Sequence, residues 1–363
     1  MRIVNLGLDS SVLDKTSRLA GRIVEYGNLA EKYVIIVPAV AEKSAALSGN
    51  VQAHGVSGKN KISKLLGIYR LAQKIIEDEK IDIVTVQDQY YLGLIACLLA
   101  RKSNIGLELQ IHGFEKYRAL RKIIAKFVIP KADSIRTVSQ RLKKRLVEEF
   151  GVKEEKITVV PIYVEVSDKR LEVRDKRNNQ FVFLTIGRLV SVKNIGLQIM
   201  AMAEVVKMHL EAELWIVGDG PERRRLEDSV KRLDLEGQVK FFGWQDDVSN
   251  FYNQADVFLL TSDAEGWPLV IVEAAGFGLP IIMTDMGSAG EFIINGENGI
   301  VISLNNQQAL EQAMIRLMEN DDLRKKLGDS AREAFSRLPS KEEILRRYKE
   351  SWEKAIHNPN VPN

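Results

Sequence analysis

Two glutamates, Glu265 and Glu273, lie in one segment in the second half of the chain, Asp263-Ala-Glu-Gly-Trp-Pro-Leu-Val-Ile-Val-Glu273. Pro268 suits the first turn of a helix, because the N–H that proline lacks would be unpaired there. On such a helix Glu273 follows an apolar run, and a carboxylate among apolar side chains is costly unless another group satisfies it. The two hydroxyls of a ribose would satisfy Glu273 by bidentate hydrogen bonding, and a structural ion pair is the alternative.

Glu265 lies in the loop before this helix, beside the positive end of the helix and its free N–H groups. Such an end is a ready site for an anion and would suit a diphosphate. A simple capping role for Glu265 is the alternative.

A second segment, Thr185-Ile-Gly-Arg-Leu-Val-Ser-Val-Lys-Asn194, places two cations after a strand that ends at Gly187. Arg188 follows the strand at once, and Lys193 starts the next helix. The pair could hold a diphosphate leaving group, with roughly 1.5–3 kcal/mol for each charged hydrogen bond. Surface charge at a strand–helix turn would explain the pair equally well.

His112 ends a buried strand, in the sequence Gln110-Ile-His-Gly113. A lone histidine is usually structural, but a position at the end of a strand beside glycine favours function. The other three histidines, His54, His209 and His357, are given no role.

Strands and helices alternate along the whole chain. The first series has strands at Ile3–Leu6, Tyr33–Val37, Ile81–Val86 and Gly106–Ile111, and helices at about Leu13–Leu29, Ile62–Ile76 and Tyr91–Ala100. The second series has strands at Phe181–Ile186, Ala212–Val217, Val239–Phe242, Val257–Leu260, Pro280–Thr284 and Gly299–Ile302, and helices at Ile195–Met208, Pro221–Leu235, Pro268–Phe277, Gln307–Glu319 and Leu323–Phe335. This alternation predicts two α/β domains, each with a parallel sheet. Such sheets bind ligands at the carboxyl ends of their strands.

The predicted boundaries follow composition. Residues 1–166 form the first domain and 181–338 the second, and the charged segment 167–180 joins them as a linker. A last helix, Lys341–Ile356 within the segment 339–357, is expected to pack back on the first domain. The tail 358–363 is expected to be disordered.

The 363 residues are 45% hydrophobic with a formal net charge of +3, which does not indicate a nucleic-acid binder. Cys97 is the one cysteine, so no disulfide can form within the chain. The N-terminus reads as a strand rather than a signal peptide, and no apolar run approaches the ~20 residues that span a bilayer. We therefore expect a cytoplasmic protein.

Several motifs together resemble the retaining nucleotide-sugar glycosyltransferases of family 4, which have the GT-B fold of two Rossmann-like domains facing each other across a cleft. The residues that carry the resemblance lie between about 105 and 335: Ala132–Ser139, Gly187-Arg188-Leu189 with Lys193, Val217–Pro221, Phe242-Gly243-Trp244, Glu265–Glu273, Gly278–Pro280 and Asn295–Gly299.

The resemblance implies a role for each matching residue. Glu273 would hold the donor ribose, Glu265 would contact hydroxyls of the donor sugar, and His112 would lie beside that sugar. Arg188 and Lys193 would bind the diphosphate. The remaining donor-site residues would be Gly187, Gly266, Trp267, the backbone amides of Leu269 and Val270 toward phosphate oxygens, and Gly243 and Trp244 near the base. Gly7 is included although Gly7-Leu-Asp-Ser-Ser11 departs from the Gly-Gly loop that is frequent in the family.

The family also implies the chemistry: transfer of a hexose or related sugar from a UDP- or GDP-sugar to a glycan or lipid-linked acceptor. No cofactor and no metal are expected, because cationic side chains and a helix end replace the metal. The expected mechanism is a front-face displacement in which the departing phosphate helps to deprotonate the acceptor hydroxyl.

The segment Glu115–Arg145 contains 11 basic and two acidic residues, with Tyr117, Leu120, Ile124 and Phe127 at helical spacing. A basic amphipathic helix can lie on an anionic membrane, so the protein could be peripheral on the cytoplasmic face. A core-facing helix with a solvated basic face is the alternative.

Two other functions fit the same fold. A nucleotide-sugar epimerase would bind the nucleotide without an acceptor, and a non-catalytic protein could keep the fold as a scaffold. A nucleic-acid binder is disfavoured, because no aromatic residues are interleaved in the basic stretch.

Overall fold

A computed structural model of the chain describes residues 1–113, 119–164, 166 and 180–357. The chain divides into two compact units. Unit 1 is Met1–Pro161 with Pro339–Asn363, and unit 2 is Ile162–Leu338. Nearly all of the predicted linker 167–180 and the whole tail 358–363 lie outside the described residues.

Unit 1 is built on an eight-stranded sheet with the order β3-β4-β2-β1-β5-β6-β7-β8. Its strands are β1 (Arg2–Leu6), β2 (Lys32–Pro38), β3 (Lys43–Ala46), β4 (Val51–Val56), β5 (Ile83–Val86), β6 (Gly106–Ile111), β7 (Ser134–Thr137) and β8 (Ile157–Val159). Its first five helices are α1 (Arg18–Gly27), α2 (Lys61–Glu79), α3 (Tyr91–Ser103), α4 (Ala119–Val128) and α5 (Gln140–Phe150). All pairings are parallel except β3 with β4. Cys97 lies buried in α3.

The predicted helix Leu13–Leu29 is too long. Ser10–Leu13 forms a 3₁₀ turn, and α1 begins only at Arg18, because the Ser17 side chain accepts a hydrogen bond from the Ala20 N–H and caps the helix there. The apolar residues before Ser17 belong to a separate turn.

The hairpin of β3 and β4 is absent from the predicted elements. His54 lies within β4, and its Nδ1 is 2.8 Å from the Ser44 hydroxyl oxygen on β3. β3 has only four residues and both strands contain small or polar residues, so neither shows the continuous apolar run that predicts a buried strand. β7 and β8, of four and three residues, are likewise absent from the predicted elements.

Unit 2 contains a six-stranded, all-parallel sheet. Its strands are β9 (Phe181–Ile186), β10 (Ala212–Val217), β11 (Val239–Gly243), β12 (Val257–Leu260), β13 (Ile281–Thr284) and β14 (Ile300–Ile302). Its helices are α6 (Ile195–Val205), α7 (Arg223–Arg232), α8 (Ser249–Gln254), α9 (Leu269–Gly276), α10 (Gln307–Glu319) and α11 (Asp321–Ser336). The predicted bounds of β9, β10, β12 and α10 are confirmed.

The strand order in unit 2 is β11-β10-β9-β12-β13-β14. This is the doubly wound Rossmann order, in which the winding direction reverses between two adjacent strands. Here the reversal falls between β9 and β12, so the loops that follow these strands border a crevice at the carboxyl edge of the sheet. The predicted fold class, two Rossmann-like units, is confirmed.

The last helix, α12 (Lys341–His357), packs on β6, β7 and β8 of unit 1. Glu108 on β6 is fully buried and accepts hydrogen bonds from Ser351 Oγ at 2.6 Å and Trp352 Nε1 at 3.1 Å. It also accepts from Thr85 Oγ1 at 2.5 Å and lies 3.5 Å from Nη2 of the buried Arg136. A buried carboxylate is tolerable here because donors from three elements satisfy it.

Replacing Glu108 by alanine leaves the buried Arg136 charge without its carboxylate. We expect a loss of about 3–5 kcal/mol of stability, as for other broken buried pairs, measured as a lower thermal midpoint by circular dichroism. Glu353→Ala on the exposed side of α12 is the control and should cost less than about 1 kcal/mol. Equal losses in the two variants would contradict the role of Glu108.

Candidate active site

Glycine contacts join the carboxyl ends of β9, β10 and β11. The Gly187 N–H donates to the Val217 carbonyl at 3.0 Å, and the Gly218 N–H donates to the Gly243 carbonyl at 2.7 Å. A Cβ atom on Gly218, where φ is 131°, would lie 2.0 Å from the Gly187 oxygen. Only glycine at position 218 therefore lets the loop after β10 close on the loop after β9.

The two cations on the loop from β9 to α6 have different surroundings. The Arg188 guanidinium is exposed and has no hydrogen bond or ion pair with any residue that the structure describes. Lys193 ends a 3₁₀ turn, and its ammonium donates to Glu265 Oε1 at 2.5 Å. The sequence predicts an equivalent pair of cations, but Arg188 is available to an anion whereas the Lys193 ammonium is already paired with Glu265.

Glu265 is held from several loops across the β9–β12 crevice. Besides Lys193, the Ser262 hydroxyl donates to Glu265 Oε1 at 3.1 Å. Gly287, after β13, has φ of 56°, and a Cβ there would lie 3.1 Å from the Glu265 Cβ. The loop after β13 therefore packs directly against the Glu265 side chain and limits where its carboxylate can point.

Glu273 lies on α9 and is partly buried. Its Oε2 accepts a hydrogen bond from the Tyr252 hydroxyl at 2.7 Å. Its Oε1 has no donor among the described residues. Half of this carboxylate is thus satisfied by the protein, and the other half is free to accept hydrogen bonds from a ligand.

The N-terminus of α9 follows Pro268, which provides no side-chain cap. Within the described residues, the N–H groups of Leu269 and Val270 have no acceptor, whereas the Ile271 N–H donates to the Pro268 carbonyl. Unpaired N–H groups at a helix start carry partial positive charge and favour an anion. Glu265 lies four residues before the first residue of this helix, so unpaired donors and a fixed acid occupy one short segment.

The two tryptophans of the predicted site are in opposite environments. Trp244 is 71% exposed, and its Nε1 donates to Asp246 at 3.3 Å. Trp267, after the partly buried Gly266, is 6% exposed and packs 5.8 Å from the ring of Phe292. Trp244 is therefore accessible to a ligand, whereas the buried indole of Trp267 packs beneath the loop that carries it. Contact of either tryptophan with a nucleotide-sugar stays a prediction.

Two family models match consecutive parts of the chain. The model described as Glycosyltransferase Family 4 matches residues 30–168, and the model described as Glycosyl transferases group 1 matches residues 167–334. The chain belongs to the glycosyltransferases of this kind. The enzyme class and the family predicted from the motifs are thereby confirmed, whereas the stereochemical outcome is not.

Relatives and solved structures agree with this placement. The glycosyltransferase is 28% identical to an uncharacterized glycosyltransferase of Methanocaldococcus jannaschii over 85% of this chain and 83% of that protein. It is 26% identical to the Escherichia coli enzyme UDP-Gal:alpha-D-GlcNAc-diphosphoundecaprenol alpha-1,3-galactosyltransferase, over 71% of each. The structure of Anabaena HepE in complex with UDP and glucose is 18% identical, covers 97% of this chain and 99% of that one, and has a TM-score of 0.79. This structural likeness confirms the predicted GT-B fold.

His112 and Gly7 lie in unit 1 of the glycosyltransferase, and the other predicted site residues lie in unit 2. The Nδ1 atom of His112 is 3.3 Å from the Gln87 amide nitrogen. Burial and then the positive charges of Arg136 and Arg22 lower the pKa of His112 to about 4. The imidazole is therefore neutral near pH 7, and its place beside a donor sugar stays a prediction, as does that of Gly7.

Neither a metal-binding cluster nor a membrane span is found in the described part of the glycosyltransferase. No three His, Cys, Asp or Glu side chains converge there in a way that could hold a metal ion. No helix within residues 1–113, 119–164, 166 and 180–357 is long and apolar enough to cross a bilayer. Independence from metal stays a prediction.

Three residues of the site, Tyr252, Ser262 and Gly287, are not among those predicted from the sequence. Tyr252 lies on α8, Ser249–Gln254, a helix too short to show helical periodicity. Ser262 and Gly287 are ordinary loop residues, and only the closeness of parallel strand ends relates them to Glu265.

The neutral His112 should make stability depend on pH. Its pKa is about 4 in the folded chain against a reference value of 6.5, so the unfolded chain binds more protons between these values and stability falls as the pH drops through this window. We expect His112→Gln to show a smaller fall in thermal midpoint than the wild type between about pH 7 and about pH 5. Equal falls in the two proteins would show that His112 does not titrate in this way.

Proposed function

We propose that this glycosyltransferase transfers a hexose or related sugar from a UDP- or GDP-sugar to a glycan or lipid-linked acceptor, with retention of anomeric configuration and without a metal. The observation that carries the donor class is the set of unsatisfied groups at the carboxyl edge of the unit 2 sheet. The groups without a partner among the described residues are the Arg188 guanidinium, the Leu269 and Val270 N–H groups, and the Glu273 Oε1 atom. A nucleoside diphosphate needs hydrogen-bond donors for its phosphate oxygens and a hydrogen-bond acceptor for its ribose hydroxyls. The guanidinium and the backbone N–H groups are two kinds of donor, and the carboxylate oxygen is the acceptor.

The diphosphate would bind at Arg188 and the start of α9. Arg188 presents a planar fork of donors that suits phosphate oxygens, and the α9 amides add donors that need no reorganisation. Lys193 can join them while it keeps Glu265, because an ammonium group has three donors. The Glu265 carboxylate, fixed by Lys193 and Ser262, would then accept hydroxyls of the sugar.

The ribose would bind at Glu273 and the base near Gly243 and Trp244. The UDP and glucose complex of Anabaena HepE supports a UDP-sugar as the donor. In the proposed step, the bond from the anomeric carbon to the phosphate oxygen breaks. The acceptor hydroxyl oxygen bonds to the anomeric carbon on the same face, and the departing phosphate takes the acceptor proton.

We expect Arg188→Ala to lower turnover by two or more orders of magnitude, because it removes a cation from the leaving group as charge develops there. Candidate donors are first screened by the thermal shift that a specific ligand causes, and turnover is then measured as release of nucleoside diphosphate. Arg224→Ala on α7 is the control and should keep turnover within about twofold. Near-normal turnover in Arg188→Ala would remove Arg188 from the mechanism.

The same assay separates the alternative functions. Incubation with donor alone should leave the sugar unchanged, whereas an epimerase would convert it to an isomer. A folded chain that binds none of the UDP- or GDP-sugars would favour a scaffold.

A lipid-linked acceptor is supported by the Escherichia coli relative, whose name contains a diphosphoundecaprenol acceptor. The surface of α4 supports it as well. Leu120, Ile123 and Phe127 form an apolar stripe that is 59%, 65% and 46% exposed. The exposed Lys122 and Lys126 border this stripe.

The predicted apolar face of this segment needs correction. Ile124 packs on the core of unit 1, beside the buried Ala125 and Val128, and Ile123 takes its place in the exposed stripe. Tyr117 lies outside the described residues. The helix therefore has an apolar face for the core and a second apolar face toward solvent, which a merely core-facing helix does not need.

A second exposed apolar pair lies on α2, which packs on α3 as α4 does. Ile62 and Leu66 on α2 are 69% and 52% exposed. The Lys61 ammonium lies 4.2 Å from the Tyr91 ring centre, and the Arg121 guanidinium lies 5.2 Å from the Tyr90 ring centre. A cation from the start of each helix thus contacts one of two adjacent tyrosines at the start of α3, and the two apolar groups with their lysines suit an anionic lipid surface.

We expect the wild type to sediment with vesicles that contain anionic phosphatidylglycerol and much less with pure phosphatidylcholine, with binding that weakens as salt is raised. Replacing Leu120, Ile123 and Phe127 by serine should reduce sedimentation about tenfold or more. The matched control replaces the exposed Met208 and Leu210 of unit 2 by serine and should bind like the wild type. Absence of wild-type binding at low salt would count against the lipid surface and the lipid-linked acceptor.

A further inference from the structure

Glu273 is anchored by a side chain from another segment. The Tyr252 hydroxyl donates to Glu273 Oε2 at 2.7 Å, although the two residues lie 21 positions apart in the chain. The same hydroxyl is 3.4 Å from the Val270 carbonyl oxygen, one turn earlier on α9. Tyr252 therefore contacts both the backbone and the acidic side chain of the helix that carries the proposed ribose acceptor.

The ring of Tyr252 has little freedom to move. Tyr252 is 1% exposed. Its ring stacks on Phe277 with centres 5.1 Å apart and planes at 15°, and it lies 5.7 Å from Phe258. Because β12 carries Phe258 and Phe277 directly follows α9, the slot for the tyrosine is built by the same elements that carry the site.

The tyrosine acts as a donor and not as a second acid. Burial, followed by the charge of Glu273, raises the pKa of the Tyr252 hydroxyl well above its usual range. A neutral hydroxyl has one proton to donate, and Glu273 Oε2 is the acceptor at hydrogen-bond distance. No residue that the structure describes donates a hydrogen bond to Glu273 Oε1.

We propose that Tyr252 is a positioning residue that fixes the Glu273 carboxylate so that its free oxygen accepts the ribose hydroxyls, and that this contact makes the site selective for ribonucleotides over deoxyribonucleotides. The inference rests on the proposed function of Glu273. A flexible glutamate loses rotamer freedom when it binds a ligand, and an anchor that sets the rotamer beforehand removes that loss. Tyr252 thereby acts through Glu273 and need not touch the donor.

A purely structural tyrosine would behave differently. Loss of its hydroxyl would lower the stability of the fold and weaken the binding of all nucleotides to the same extent. A positioning tyrosine should instead change the preference for ribose, because only the ribose hydroxyls depend on the orientation of Glu273. The ratio of affinities for UDP and 2′-deoxy-UDP separates the two roles.

The test is calorimetric titration of the full chain with UDP and 2′-deoxy-UDP, or with the guanosine pair if the wild type binds GDP instead. We expect the wild type to prefer the ribonucleotide about tenfold or more, and Tyr252→Phe to reduce this preference to about twofold. Glu273→Gln should weaken the preference similarly. In turnover assays Tyr252→Phe should raise the donor KM with kcat nearly unchanged, because the contact binds the ground state and the transition state alike.

Tyr33→Phe is the matched control, since Tyr33 is a buried tyrosine of unit 1 with 1% exposure. It should keep the wild-type preference. If Tyr252→Phe lowers the thermal midpoint strongly, Phe277→Leu provides a second variant that keeps the hydroxyl but loosens its ring, and its preference should fall between the wild type and Glu273→Gln.

The outcomes separate the two hypotheses. A wild type that does not distinguish ribose from deoxyribose would overturn the ribose role of Glu273, and with it the proposed site. A wild type that does distinguish them, together with a Tyr252→Phe variant that keeps the full preference, would overturn the role of Tyr252 and leave the proposed function intact.

Discussion

The loops after neighbouring strands of a parallel sheet leave the sheet at the same edge, and the arrangement of unit 2 depends on this constraint. The strand order reverses between β9 and β12, so the loops that follow them border one crevice. This is why Lys193 and Glu265, 72 positions apart, meet at 2.5 Å. The close backbone contacts of Gly187, Gly218 and Gly243 hold the loops after β9, β10 and β11 against one another at this edge.

The two partly buried glutamates of this edge, Glu265 and Glu273, are satisfied only in part by the residues that the structure describes. Glu265 has a lysine and a serine as donors, and Glu273 has a tyrosine on one oxygen. An entirely unpaired carboxylate would be costly to bury, and a fully paired one would have nothing left for a ligand. Partial satisfaction therefore reconciles a stable fold with a site that can still bind, and Arg188 remains the cation without a partner among the described residues.

Most of the strands could be predicted from the sequence, because buried parallel strands are continuous apolar runs. The helix start at Arg18, the hairpin of β3 and β4, and the short α8 could not, because they depend on a single capping serine or on runs too short for periodicity. The charged residues of the site could be identified from motifs, but their pairing could not. Whether Lys193 faces a ligand or Glu265 depends on distances between loops of the folded sheet. The hydrogen bond from Tyr252 to Glu273 joins residues 21 positions apart, and no local sequence pattern indicates it.

The buried Glu108 also sets an order of events during synthesis. Its donors Ser351 and Trp352 belong to α12, which the ribosome makes only after the whole of unit 2. Until then the sheet of unit 1 holds a carboxylate and the Arg136 guanidinium without the helix that covers them. Domains generally fold in the order in which they are made. Unit 2, however, is continuous in the chain and can complete its core before unit 1, which needs α12. Unit 1 therefore cannot complete the buried network around Glu108 until α12, a helix of 17 residues, has been made.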